Sequence, residues 1–195
     1  MSAKIWVLSG ILFACGSLTA QTNVWQPSPG HTQIPIWPKA APDAGQQPVT
    51  GPEGVTNLPA SGGKRWIAAV NVAQPTMTVY SAKGTNTGVA MVVLPGGGYT
   101  SLAMDIEGTE ICDWLTERGI TAVLLKYRVP VKKAPPYYES PAALQDAQRT
   151  IGLARFHAAE WHISPRKIGV IGFSAGGHLV GATSTHFDKR TYPAV

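Results

Sequence analysis

Cysteine is scarce in this chain, with only Cys15 and Cys112 among 195 residues. Cys15 lies within residues 1–20, where Lys4 precedes an apolar stretch from Ile5 to Ala14 and small residues lead to Thr19 and Ala20, the layout of a secretory signal peptide cleaved after Ala20. Without that segment Cys112 has no partner, so an internal disulfide is excluded and core packing must hold the fold. Cys112, next to Ile111 and near Trp114 in an amphipathic stretch, reads as a buried inert thiol rather than a nucleophile. The apolar stretch is too short for a stable membrane span, which points to a secreted or periplasmic protein. Leu12, Phe13, Ala14 and Cys15 faintly match a lipoprotein signal, but the bulky Phe13 makes lipid anchoring the lesser alternative.

Clustered charge is also missing. Sixteen basic residues outnumber eleven acidic ones, yet no basic run exceeds Lys132-Lys133. Phosphate tracking needs a basic face, so a nucleic-acid partner is a poor fit. No His and Cys group has metal spacing, and neither a metal nor a cofactor is expected.

Prolines and glycines are abundant and uneven. Between Gln26 and Gly63 stand eight prolines and six glycines, a composition that argues for an extended arm over residues 21–63 and against regular structure. Trp25, Ile34, Ile36 and Trp37 supply apolar anchors for it. Residues 64–195 then form a partial domain. Short strands are expected at Thr76–Tyr80, Val89–Leu94, Thr121–Lys126 and Ile168–Phe173. The segment Glu107–Arg118 reads as a helix with Ile111, Trp114 and Leu115 on one face and Gly119 as its stop. Ser140 and Pro141 open a second helix, striped by Leu144, Ala147, Ile151, Ala154, Ala158 and Trp161. On that helix Asp146 and Arg149 are spaced as an ordinary surface pair. Alternating strands and helices from residue 89 onward predict an α/β fold: a mostly parallel sheet, flanking helices, and a site at the carboxyl ends of the strands.

Two segments at those ends carry chemistry. Ile168 to Phe173 runs straight into Gly172-Phe173-Ser174-Ala175-Gly176 and then into a helix-compatible stretch, the layout of a nucleophile elbow with Ser174 as the nucleophile. A serine on so tight a turn has a strained backbone and small neighbours two residues away, here Gly172 and Gly176. Pro95-Gly96-Gly97-Gly98-Tyr99 follows another apolar strand. Its amides would stabilise a tetrahedral oxyanion together with the N–H of Ala175. The rival reading, a phosphate cradle, lacks the Lys-Ser or Lys-Thr pair that should follow. Arg128, at a strand end, reads as a loop tie, with a place facing the cleft as the lesser alternative.

The histidines fit the base role poorly. His178 lies in the helix leading away from Ser174, and His157 and His162 belong to the preceding helix or its end. His186 and Asp188 arrive before another strand can form, whereas the elbow's acid and histidine belong on loops after later strands. Only 21 residues follow Ser174.

The linked set Leu94-Pro95-Gly96-Gly97-Gly98-Tyr99, Lys126-Tyr127-Arg128, Asp146-Ala147-Gln148-Arg149 and Gly172 to Leu179, preceded by Ile34-Pro35-Ile36-Trp37-Pro38, resembles secreted bacterial α/β-hydrolases of the acetylxylan esterase and feruloyl esterase-like group. The resemblance runs from about residue 33 to the end. It implies cofactor-free hydrolysis of carboxylic esters, often acetyl or feruloyl groups on plant polysaccharide, by a Ser-Asp-His triad. It matches Ser174 to the nucleophile and Gly97, Gly98 and Ala175 to oxyanion donors. Pro95 stands where related lipases have histidine, which leaves the glycine donors in place. The expectation is an α/β-hydrolase domain truncated after the elbow helix, without triad acid or base. The alternative is a non-catalytic carbohydrate-binding or interaction module that keeps a relic elbow.

Overall fold

Apolar β-branched runs punctuated by glycine and proline become the strands of a five-stranded sheet. The computed structural model describes residues 24–44, 51–59, 64–129 and 141–194. The signal-peptide segment, Ser140 and the Lys132-Lys133 pair lie outside the described residues. The strands of the main sheet are β1 (Gln33–Pro35), β4 (Thr76–Tyr80), β5 (Ala90–Leu94), β7 (Thr121–Lys126) and β8 (Ile168–Gly172), in the order β1-β4-β7-β5-β8. The β7-β5-β8 core is parallel, while β1 and β4 add to it antiparallel. Every residue of central β7 is buried, as befits a strand covered on both faces.

Helix α1 (Glu110–Thr116) packs on β4, β5 and β7, α2 (Pro141–Phe156) on β7 and β8, and α3 (Ala175–Thr185) on β5 and β8. The architecture is the α/β arrangement expected from the alternation of elements, a mostly parallel sheet with flanking helices.

Three local readings change. The arm holds regular structure: β1 pairs with β4, and β2 (Gly54–Pro59) pairs with β3 (Arg65–Val70) in a second antiparallel sheet completed by β6 (Ser101–Ala103). Trp25, Ile36 and Trp37 do anchor the arm in the core, whereas Ile34 is exposed. The first helix is preceded by a π-helical turn, Asp105–Thr109, and its Trp114 is 51 % exposed under the Arg118 guanidinium instead of facing the core. Cys112 is buried there as expected, and burial pushes its thiol pKa up.

The third change concerns Asp146, which is no surface partner of Arg149. It is fully buried and takes the Arg128 guanidinium in a bidentate pair, together with the Arg128 backbone N–H and Trp37 Nε1. Burial pushes its carboxyl up, while Arg128 and Trp37 pull the other way. Arg128 also donates to the carbonyls of Pro42 and Ala142 and to Gln145. It therefore ties the arm and α2 to the end of β7. Arg149 instead donates to the Ile36 carbonyl, a further clamp on the arm.

Candidate active site

The turn between β8 and α3 forces Ser174 into φ 48°, ψ −118°, a conformation that costs a non-glycine residue of order 1–3 kcal/mol. Its glycine neighbours are required by space. A Cβ at Gly172 would stand 2.4 Å from the Gly176 carbonyl oxygen, and one at Gly176 would stand 2.0 Å from that of Leu94. Gly176 N–H closes the turn onto the Phe173 carbonyl at 2.7 Å. Ser174 is exposed at the tip, and its side chain makes no capping bond to the helix it begins.

The glycine loop lies against this tip. A Cβ on Gly96 would reach within 3.0 Å of Ser174 Cβ and 2.7 Å of the Phe173 carbonyl oxygen. The loop is pinned through the Pro95, Gly96 and Gly97 carbonyls and the Gly96 amide. Tyr127 Oη donates to the Pro95 carbonyl at 2.6 Å, Ala103 N–H to that of Gly96, and Thr100 and Ser101 N–H to that of Gly97. Gly96 N–H donates to Glu107 Oε2 at 2.8 Å. Gly97 and Gly98 adopt positive φ, and their N–H groups have no acceptor among the described residues. Ala175, as the first residue of α3, likewise has an amide that no preceding helical turn can bond. Free amides, a helix N-terminus and an exposed hydroxyl thus share one end of the sheet, a combination suited to holding negative charge that develops on a carbonyl oxygen.

The profile of the BD-FAE family matches residues 77–192, which takes in β4, the glycine loop, the elbow and α3. The chain belongs to this family. Over 99 residues it is 36% identical to an acetylxylan esterase of Xylanibacter ruminicola, and over 98 residues 34% identical to endo-1,4-beta-xylanase B of Butyrivibrio fibrisolvens. These matches cover 51% and 50% of the chain but only 19% and 15% of the two relatives. Among solved structures, the acetyl ester-xyloside bifunctional hydrolase from Caldicellulosiruptor lactoaceticus superimposes with a TM-score of 0.55 at 34% identity, over 80% of this chain and 47% of that one. The BD-FAE chain thus has an α/β-hydrolase fold, and its matches cover less than half the length of each of these relatives.

Four of the five histidines of this BD-FAE chain are engaged away from Ser174, and His162 is exposed. His178 Nδ1 meets Tyr99 Oη at 2.9 Å, and burial pushes the Tyr99 phenol up to about 12. His186 Nδ1 lies against the Ala182 carbonyl and Thr185, His157 pairs with Glu160, and His31 Nδ1 meets the Val79 carbonyl. Among the described residues no hydrogen bond joins a histidine to Ser174, and Asp188 is exposed. No cluster of three or more potential metal ligands forms among them. Two residues at the site escaped the sequence reading. Tyr127 and Glu107 secure the glycine loop from other elements, and only Tyr127, within Lys126-Tyr127-Arg128, stood in a recognisable motif.

Proposed function

We propose that this chain carries the nucleophile and oxyanion hole of a serine carboxylic-ester hydrolase that removes acetyl or feruloyl groups from plant polysaccharide. The reading rests above all on the strained, exposed Ser174 packed against a loop with free Gly97 and Gly98 amides. Ser174 Oγ attacks the ester carbonyl, and its proton passes to a base. The carbonyl oxygen gains the negative charge and is held by the N–H groups of Gly97, Gly98 and Ala175. Collapse expels the sugar alcohol and leaves an acyl-serine, which water opens to carboxylic acid and free serine.

Because no histidine among the described residues is hydrogen-bonded to Ser174, the base and its acid partner are assigned to residues outside these 195. The substrate assignment is supported by the xylan-directed names of the relatives. A polymeric substrate suits a secreted or periplasmic protein, with lipid anchoring the lesser alternative. No helix among the described residues is long and apolar enough to cross a membrane.

Hydrolysis of 4-nitrophenyl acetate tests this reading on the protein from its complete reading frame, its Ser174→Ala variant and the 195-residue chain alone. Turnover should fall about 10⁴-fold or more in Ser174→Ala and stay near background in the isolated chain. Equal turnover with and without Ser174 would favour the other reading, a carbohydrate-binding module with a relic elbow, which draws on the same lack of a bonded histidine.

A further inference from the structure

The geometry points to Glu107 as a positioning residue for the oxyanion loop, an inference that rests on the esterase reading above. Glu107 sits in the π-helical turn Asp105–Thr109, where Thr109 N–H reaches back to Met104 and Glu110 N–H to Asp105. Single π turns of this kind often occur at functional sites. This one is anchored on both flanks. Asp105 Oδ2 accepts the N–H of Ile67 on β3, and Gly108 lies so close to Leu124 that a Cβ there would meet its side chain at 3.3 Å. Held this way, the turn presents the Glu107 carboxylate to Gly96 N–H at 2.8 Å.

The loop's other fastenings are carbonyls that accept from neutral donors. Gly96 N–H is bonded to an ionisable side chain, and charge-assisted bonds are roughly twice as strong as neutral ones. The fastening also lies at the site itself. The point 3.0 Å from Ser174 Cβ, where a Gly96 side chain would begin, is 2.6 Å from Glu107 Oε2. Glu107 takes up the Gly96 amide and so fixes the Pro95–Gly96 peptide plane, from which the chain leads directly into the peptides that carry Gly97 and Gly98 N–H. Its effect falls on the transition state, because the oxyanion requires those two donors and the ground-state ester does not.

The test uses the protein from its complete reading frame, with 4-nitrophenyl acetate kinetics and amide hydrogen exchange at Gly96. Glu107→Ala should lower kcat about 10- to 100-fold with KM within about twofold, since a misplaced donor approaches the cost of a lost one. Glu107→Gln, which still offers an acceptor, should keep kcat within about threefold. Glu107→Asp keeps the charge on a shorter stem and should lose about tenfold; it decides the matter if the alanine variant fails to fold. Gly96 exchange should quicken at least about tenfold in the alanine and aspartate variants. Unchanged kcat in both of these variants, while Ser174→Ala is inactive, overturns the positioning role and leaves the esterase reading standing. If the parent protein shows no Ser174-dependent turnover, the esterase reading fails. Gly96 exchange then judges the positioning alone, and unchanged exchange overturns it.

Discussion

Ser174 keeps its backbone strain only because two glycines leave room for it. In an exposed helix position, Gly→Ala ordinarily stabilises by about 0.5–1 kcal/mol. Gly176 should behave in the opposite way, since its Cβ would stand 2.0 Å from the Leu94 carbonyl oxygen and 2.7 Å from that of Pro95, both backbone atoms that cannot swing aside. Gly176→Ala is expected to cost about 3 kcal/mol or more. Gly181 lies in the same helix with nothing within 4 Å of its would-be Cβ, so Gly181→Ala should be neutral or mildly stabilising. Thermal unfolding of the two variants checks the contrast, and equal shifts would mean that the elbow tolerates a side chain. Ser174 and its glycines were legible because their constraint is local, set by residues two apart. Glu107 was not, because its partner amide is eleven residues away and reached only through a π turn that periodicity does not reveal.

The same distinction between local and distant partners governs the elements. Strands β4 and β7 occupy the residues expected of them, since apolar runs bounded by proline and glycine mark themselves. The arm hid two strands. Three-residue β1 ends in a proline, and β2 has Gly54 at one end and Pro59 at the other, so neither shows the alternation that reveals a strand. Asp146 was misread because a partner three residues away was visible, while Arg128, eighteen residues away at the end of another element, was not. That buried pair joins arm, α2 and β7. Arg128→Met should therefore destabilise by about 3–5 kcal/mol, because it strands a carboxylate that is 0 % exposed. The double variant Arg128→Met/Asp146→Leu removes both charges and should be less destabilised than the single one. Chemical denaturation of both measures the difference, and a single variant costing under about 1 kcal/mol would show that the pair does not hold the arm.

Across the whole molecule, the parallel core, its flanking helices and an edge at the strand before the elbow followed from the order of the elements. In the fold, β8 is an edge: it pairs with β5 on one side and with no strand on the other among the described residues. Its five residues are all only partly buried, although Ile168, Val170 and Ile171 have the composition of a strand flanked on both sides. The edge carries neither a proline nor an inward-pointing charge along Ile168–Gly172. Exposed aromatics add to this, Phe156 at 80 % and Phe187 at 84 %, and Phe187 lines a cleft together with Ile168 and Val170 of β8. An open row of amides beside exposed aromatics templates strand addition. The 195-residue chain produced alone is therefore expected to self-associate with rising concentration in size-exclusion chromatography with light scattering. Amide exchange distinguishes the two possible contacts. Pairing through the edge slows exchange along β8 as association proceeds, whereas contact through Phe156 and Phe187 alone leaves β8 unchanged. A monomer that persists at about 100 μM, where edge pairing should be evident, with fast-exchanging β8 amides, would show that this edge does not pair.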